Sequence, residues 1–195
     1  KSENRGNPRK IYSYADLSGA EWAAEYIELL TERGVINGDG NGLFRPEASV
    51  TRAEFIKMLV AAFDIPRFNE ASEFDDVSTD DWYAPYVAAG VKCGIVKGIS
   101  RESFGAAELI SREDLTVMCA RSADYTGMSL NNIREGVPSD FESVSDYARD
   151  AVGGFYRAGI INGDTDGSFR PRDGATRAEA AKIIAELLLK KEVVK

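Results

Sequence analysis

Apolar positions recur along the chain at helical spacing, in three copies of one pattern. In the first copy Tyr26 follows Trp22 by four residues, and Leu29 and Leu30 follow Tyr26 by three and four, as on one face of a helix. Gly34 then marks the end of that helix. A glycine-rich loop and a second apolar run of helical period follow, and the same order returns twice further along the chain. The pattern predicts three repeats, each built of a helix, a loop and a second helix.

Each second helix has a recognisable start. A hydroxyl residue is followed three positions later by an acid and then by an apolar run, which is the signature of a capping box. We therefore expect the hydroxyl to accept from a first-turn N–H group and the acid to reach back to the N–H of the cap residue. The pairs are Thr51 with Glu54, Ser111 with Asp114, and Thr176 with Glu179.

An arginine directly follows each of these caps, as Arg52, Arg112 and Arg177. A cation at the N-terminus of a helix opposes the helix dipole and costs about 0.3–1 kcal/mol relative to an acid. Because the same unfavourable residue occurs at three equivalent positions, we infer that the arginine has a function there. An arginine beside unpaired helical N–H groups is suited to hold an anion. We therefore predict an anion-binding position at the start of each second helix.

The repeats span residues 12–66, 72–123 and 141–190, and residues 124–140 form a connecting loop without a period. A unit of about 50–60 residues buries too little surface to be stable alone, so the copies should share one core. The sequence thus predicts an all-α pseudo-trimer with a shared central helix bundle, and a groove between each pair of neighbouring copies. The aromatic residue that ends each loop should plug it onto that core: Phe44, Phe104 and Phe169.

Composition excludes several classes of function. The net charge is −8 and there is no basic run, so nucleic acid is not an expected partner. There is no apolar run of about 20 residues, so membrane insertion is not expected either. Residues 1–10 lack the apolar segment of a signal peptide, which leaves a cytosolic chain or a chain whose signal has been removed.

Catalysis and cofactor binding are not expected. Histidine is absent, no Ser/His/Asp or Cys/His set is present, and the glycine loops match no phosphate-binding motif. We predict that Cys119 is a buried apolar residue and that Cys93 lies partly exposed at a helix end. A disulfide between them remains an alternative.

A calcium site is another alternative. Asn37, Asp39 and Asn41 reproduce the first positions of a calcium-binding loop, and a similar run begins at Asn162. However, Ala48 and Asp173 stand where such a loop carries a bidentate glutamate. Turns of this composition form without an ion, so no metal is predicted.

The repeated residues resemble a known family. The Thr-Arg-Ala-Glu segment, the Gly-Val-Ile-Asn-Gly-Asp-Gly loop ending in Phe-Arg-Pro, and the upstream aromatic opening with Trp are similar to the S-layer homology (SLH) domain in its usual set of three. The resemblance covers roughly residues 12–190. It implies a pseudo-threefold helical spindle that anchors exported proteins non-covalently to the cell wall or S-layer of Gram-positive bacteria. The implied partner is an anionic secondary cell-wall polysaccharide, bound by a monomeric module at a pyruvylated N-acetylmannosamine end.

The resemblance also implies which residues form each groove. Groove one is assigned Asn37, Gly38 and Arg52 with Trp82; groove two Gly98 and Arg112 with Tyr147; and groove three Asn162, Gly163 and Arg177 with Trp22. The second loop lacks the acidic stretch and the Arg-Pro step, and Tyr147 replaces a tryptophan. We therefore expect grooves one and three to bind before groove two. An alternative function is protein–protein anchoring through the same grooves.

Overall fold

The computed structural model describes residues 13–193, and this part of the chain is all-helical. Its α-helices are α1 (Glu21–Glu32), α2 (Arg52–Ala62), α3 (Ala84–Lys92), α4 (Arg112–Tyr125), α5 (Arg149–Arg157) and α6 (Arg177–Val193). Two 3-10 turns, Phe141–Ser143 and Asp146–Ala148, precede α5. The all-α prediction is confirmed. Residue 12, the predicted start of the first repeat, lies outside the described residues.

The repeats close into a ring. The second helices α2, α4 and α6 meet one another, and each packs against the first helix of the next repeat: α2 on α3, α4 on α5, and α6 on α1. Apolar side chains from all three repeats form one buried cluster, which includes Phe55, Leu59 and Ile184. Burying a side chain of this size contributes about 1.5–3 kcal/mol. Because the core is shared, no repeat is an independent unit.

Backbone hydrogen bonds close the same ring at the residue before each cap. Val50 N–H donates to the carbonyl of Ala175 (3.0 Å), Ala175 N–H to Ile110 (2.9 Å), and Ile110 N–H to Val50 (2.9 Å). Each repeat thus donates to one neighbour and accepts from the other. This closed triangle of hydrogen bonds defines the pseudo-threefold axis.

The predicted caps form, with one exception. Thr51 Oγ1 accepts from Glu54 N–H (3.2 Å) and the Glu54 carboxylate accepts from Thr51 N–H (2.9 Å). Thr176 and Glu179 make the same reciprocal pair. Ser111 accepts from Asp114 N–H (3.1 Å), but the prediction of a return hydrogen bond from Ser111 N–H to the Asp114 carboxylate is wrong. Asp114 is one methylene shorter than glutamate, and its carboxylate instead accepts from Tyr147 (2.9 Å).

Each loop ends at its phenylalanine as predicted, and Phe44, Phe104 and Phe169 are buried. An aspartate that the sequence did not single out holds each of these turns. Asp16 accepts from the N–H groups of Phe44 (2.8 Å) and Arg45 (2.6 Å), and Asp76 accepts in the same way from the second loop. The third is Asp140, which we had placed in the connecting loop.

The buried face of the first helix differs from the predicted apolar stripe, of which only Leu30 is buried and Tyr26 and Leu29 are half-buried. Trp22 is 50% exposed, and the buried face of α1 consists instead of Ala23, Ala24, Ile27 and Leu30. A bulky indole therefore stands on the surface, where packing does not explain it.

The fourth helix is longer than predicted. It continues to Tyr125, inside the predicted connecting loop.

Both cysteines are free thiols, so the disulfide alternative is wrong. Cys119 is fully buried in the core, as predicted, and this burial raises the pKa of its thiol. Cys93 is half-buried at the C-terminal end of α3.

Candidate ligand-binding grooves

The first N–H groups of the second helices are not free, contrary to our expectation. Arg52 N–H donates to the carbonyl of Glu108 (2.9 Å), and Ala53 N–H to the carbonyl of Ala106 (3.1 Å). The starts of α4 and α6 donate to the next repeat in the same way. A neighbouring segment of backbone therefore satisfies the donors that a helix N-terminus normally leaves for an anion.

The arginine side chains cross the same boundary. Arg52 Nε donates to the carbonyl of Phe104 (3.0 Å) and Nη2 to the carbonyl of Lys97 (3.0 Å). Its guanidinium also lies 5.1 Å from the centre of the Phe104 ring. Arg52 is only 5% exposed. These bonds account for a cation at the first helical position, because it ties the first repeat to the loop of the second.

The other two arginines make equivalent bonds, each into the loop of the next repeat. Arg112 Nε donates to the carbonyl of Phe169 (2.7 Å). Arg177 donates to the carbonyls of Phe44 (2.9 Å) and Asn37 (3.2 Å). Each loop is thus bound by the arginine of the preceding repeat in the ring.

This offset corrects the arginine that we assigned to each groove. We had matched each arginine to the loop of its own repeat, whereas its side chain enters the following loop because the helices are joined cyclically. Groove one contains Arg177 in place of Arg52, groove two contains Arg52 in place of Arg112, and groove three contains Arg112 in place of Arg177.

The three guanidinium groups differ in how far their charge is neutralised. Arg52 Nη1 lies 3.6 Å from the carboxylate of Asp114, and Arg112 is ion-paired with Glu179. Arg177 has no ion pair among the described side chains, those of residues 13–191, and it is half-buried. Of the three, Arg177 in groove one therefore keeps the most charge for a ligand.

Groove three is a cavity of about 550 Å³. Its lining includes Trp22, Asn162 and Gly163, which we assigned to this groove, together with Arg112 and Lys182. The amine of Lys182 lies 5.8 Å from the centre of the Trp22 ring. An exposed flat ring beside a cation can stack on a sugar and bind its acidic substituent.

Groove one repeats this arrangement. The amine of Lys57 lies 5.9 Å from the centre of the Trp82 ring, and Trp82 is 55% exposed. Lys57 and Asn37 line one cleft, and Arg177 reaches the carbonyl of Asn37. Lysine, tryptophan, arginine and the asparagine loop therefore meet in this groove as they do in groove three.

The loop glycines are required by packing. A Cβ at Gly38 would collide with the ring of Tyr14, and one at Gly98 would collide with the carbonyls of Ser100 and Ser103. Gly163 has a positive φ of 75°. Their use as hydrogen-bond donors to a ligand stays a prediction.

Groove two is built differently. Its aromatic residue, Tyr147, is 57% exposed, and its hydroxyl lies 2.9 Å from Asp114 and 3.3 Å from Glu113. Desolvation and the hydrogen bond to Asp114 raise the pKa of Tyr147 well above its ordinary value. This phenol is bound to protein carboxylates rather than left open.

Lys57 and Lys182 were missed by the sequence analysis, although a signal existed. Both stand at the same position after the Thr-Arg-Ala-Glu segment of their repeats, while the second repeat has Val117 there. A lysine on a helix surface is ordinary, so the pattern gains meaning only once Trp22 and Trp82 are seen to lie beside these amines.

The loop at Asp39 does not support calcium binding. Its carboxylate accepts from the N–H groups of Asn41 (2.9 Å) and Leu43 (3.4 Å) and from the guanidinium of Arg45 (2.9 Å). In the described part of the chain, no cluster of three or more acidic or thiol side chains is placed to hold a metal ion. Within residues 13–193, every helix is too short or too polar to span a lipid bilayer.

A family model described as "S-layer homology domain" matches the chain three times, at residues 13–56, 73–116 and 139–181. Each match covers the first helix and the loop of one repeat and the first five residues of its second helix.

Individual proteins match most of the chain. An amylopullulanase of Thermoanaerobacterium thermosulfurigenes is 37% identical over 87% of the chain and 9% of that protein. The exoglucanase XynX of Acetivibrio thermocellus is 35% identical over 93% of the chain and 17% of that protein. The S-layer protein sap of Bacillus anthracis is 27% identical over 89% of the chain and 21% of that protein. The chain thus spans at most about a fifth of the length of these relatives. The similarity to the enzymes therefore gives no ground for assigning a catalytic activity to this chain.

Proposed function

Because the chain belongs to the S-layer homology domain family, we propose that it anchors a larger exported protein to the cell wall by binding an anionic secondary cell-wall polysaccharide. The family resemblance seen in the sequence is thereby confirmed. The family and its S-layer relatives indicate the cell wall or surface of Gram-positive bacteria as the location, and they support an anchoring role. The glycan and its binding residues are our proposal.

One observation carries the proposal. In grooves one and three an exposed tryptophan lies within 6 Å of a lysine amine, beside an arginine and an asparagine-containing loop. A pyruvyl ketal adds a carboxylate to a sugar ring. The lysine would pair with that carboxylate, worth about 1.5–3 kcal/mol for a charge-assisted bond, while the indole covers the ring. Trp22 and Trp82 are otherwise unexplained, because each exposes a large apolar surface to solvent.

The lysines replace the arginines as the principal cations in this proposal. Arg52 is buried and its guanidinium donates to backbone carbonyls, so its main role is to stabilise the fold. Arg177 and, less strongly, Arg112 add positive charge to the two open grooves. A polymer that engages both grooves, or an array of polymers, would be held by avidity rather than by one strong site.

The test is sedimentation of the chain with purified wall polymer, before and after mild removal of the pyruvyl group. We expect binding to be lost with the pyruvyl group and to fall at least tenfold in a Lys57→Met, Lys182→Met variant. Lys92→Met is the control, because Lys92 pairs with Glu70 away from both grooves. Equal binding of the depyruvylated polymer would overturn the proposal. Failure of free pyruvylated sugar to compete would favour the protein–protein alternative.

A further inference from the structure

Besides its different loop, which carries Lys97 in place of asparagine, groove two departs from the other two grooves at three positions on its helical walls. Glu113 stands where the other second helices have Ala53 and Ala178, and Val117 stands where they have lysine. Tyr147 replaces the tryptophan of the facing repeat. The ring of hydrogen bonds, the capping hydroxyl and the crossing arginine are unchanged. The difference therefore concerns the groove and not the scaffold.

Glu113 binds across the groove to the third repeat. Its carboxylate accepts from the N–H (3.0 Å) and the hydroxyl (2.8 Å) of Ser145, and it lies 3.3 Å from the Tyr147 hydroxyl. Glu113 is 4% exposed, so these bonds are shielded from water. A buried carboxylate needs such partners, and it has them.

Tyr147 and Asp114 complete the closure. The phenol has one proton to donate, and its shorter contact is with Asp114 (2.9 Å). The same carboxylate lies 3.6 Å from Arg52 Nη1. The aromatic hydroxyl, the capping acid and the arginine of groove two are thus linked to one another.

The helical wall of groove two is also less favourable for an anion. Glu113 adds a negative charge there and Val117 removes a positive one relative to the equivalent positions of grooves one and three, while Lys97 in its loop adds one positive charge in place of asparagine. Arg121, one turn beyond Val117 on α4, donates to the carbonyl of Ile95 (3.3 Å) and lies near Asp114. The positive charge of Arg121 is therefore partly neutralised within the protein.

We propose that groove two binds no anionic glycan and serves as a clasp between the second and third repeats, so that the chain carries two glycan sites. Glu113, Val117 and Tyr147 are then the residues that determine which grooves accept ligand. This inference rests on the proposed function, because it counts sites for the ligand proposed there.

The test counts binding sites, using the methyl glycoside of pyruvylated N-acetylmannosamine with calorimetry and native mass spectrometry. The native chain should bind two molecules. A variant with Trp22→Ala, Lys182→Met, Trp82→Ala and Lys57→Met should bind none. A variant with Glu113→Ala, Val117→Lys and Tyr147→Trp should bind three, provided that circular dichroism shows it folded.

The outcomes separate the two proposals. Three sites in the native chain, one site left in the fourfold variant, or two sites in a folded triple variant would each overturn the clasp inference alone. A native chain that binds none of this sugar would overturn the proposed function, and the site count with it. If the triple variant does not fold, the fourfold variant still decides the question, because its substitutions lie on exposed or half-buried side chains.

Discussion

Grooves one and three differ from groove two in side chains while sharing one backbone frame. All three have a crossing arginine, an aspartate that holds the turn at the end of the loop, and a buried phenylalanine. Two present an exposed tryptophan beside a lysine, and the third presents a tyrosine bound to two acids. The comparison teaches that the frame and the ligand site are separable. Residues common to all three grooves hold the repeats together, and residues common to two are the candidates for binding.

This distinction changes how the arginines are understood. Their presence in every repeat first suggested a ligand, yet presence in groove two, where the other groove residues are altered, indicates a structural task. Arg52 performs that task almost entirely buried, whereas Arg177 remains half-exposed and without an ion pair in the described residues. The two arginines should therefore respond differently to removal.

The largest effect is expected for Arg52→Ala. It leaves two loop carbonyls without their donor and Asp114 without its cation, and we expect a loss of about 2–4 kcal/mol in the free energy of unfolding. Arg177→Ala should cost about 1 kcal/mol, since solvent replaces part of its bonding. Denaturant unfolding of both variants measures the difference. Equal losses would mean that burial of Arg52 does not matter and that the arginines form one class.

The clasp in groove two gives the next largest effect. Glu113→Ala leaves the N–H and hydroxyl donors of Ser145 unpaired, and we expect a loss of about 1–3 kcal/mol in the free energy of unfolding. The backbone itself accepts alanine here, because Ala53 and Ala178 occupy the equivalent positions.

Glu142→Ala is the matched control for this variant, since Glu142 pairs with Arg149 on the surface and should contribute less than about 0.5 kcal/mol. A Glu113 variant as stable as this control would show that groove two is not a clasp. Groove two would then stand as a third candidate ligand site.

Much of the frame could be predicted from local patterns. The capping hydroxyls, the stop at Gly34 and the buried loop phenylalanines depend on residues a few positions apart, and all formed as expected. The exception at Asp114 is also local, because a shorter acid cannot complete the box. Repetition then predicted a shared core, since no repeat is large enough to be stable alone.

The pairing of arginine with groove could not be predicted in this way. It depends on the cyclic offset between repeats, and spacing within one repeat carries no information on it. Arg177 and Asn37 are joined from opposite ends of the chain. Lys57 and Lys182 were visible but ambiguous, because an exposed helix position accepts lysine for solubility alone. Asp140 was hidden because its repeat is shortened at that point.

A smaller effect, on how stability changes at acid pH, should distinguish the second loop from the first. Burial alone would raise the pKa of Asp76, but hydrogen bonds from the N–H groups of Phe104 and Gly105 and from the Ser103 hydroxyl outweigh it and lower that pKa. A carboxyl with a lowered pKa stabilises the folded state above its unfolded pKa of about 3.9, and this contribution is lost as the pH falls through the lower, folded value.

Asp76→Asn should therefore cost about 1 kcal/mol at neutral pH, since solvent screens this exposed group, and progressively less below pH 4. Chemical unfolding across that range measures it. Asp16→Asn is the matched variant in the first loop, where Asp39 and Arg45 also brace the turn (2.9 Å), so its cost should be smaller. A cost for Asp76→Asn that does not change with pH would assign the effect to packing instead of charge.

The smallest effect on stability is expected at the junction between the first and third repeats, which has no clasp. At the junction of α6 and α1 the Tyr26 hydroxyl donates to Glu186 (2.7 Å), whereas Ala151 occupies the corresponding position beside groove two. The hydrogen bond to Glu186, followed by burial, raises the pKa of Tyr26 to about 12. A raised pKa means that the bond stabilises the fold below the unfolded value of about 10 and is lost as the pH rises through about 12. Tyr26→Phe should thus lower stability by less than about 1 kcal/mol at neutral pH and match the native chain near pH 12, in chemical unfolding followed by circular dichroism.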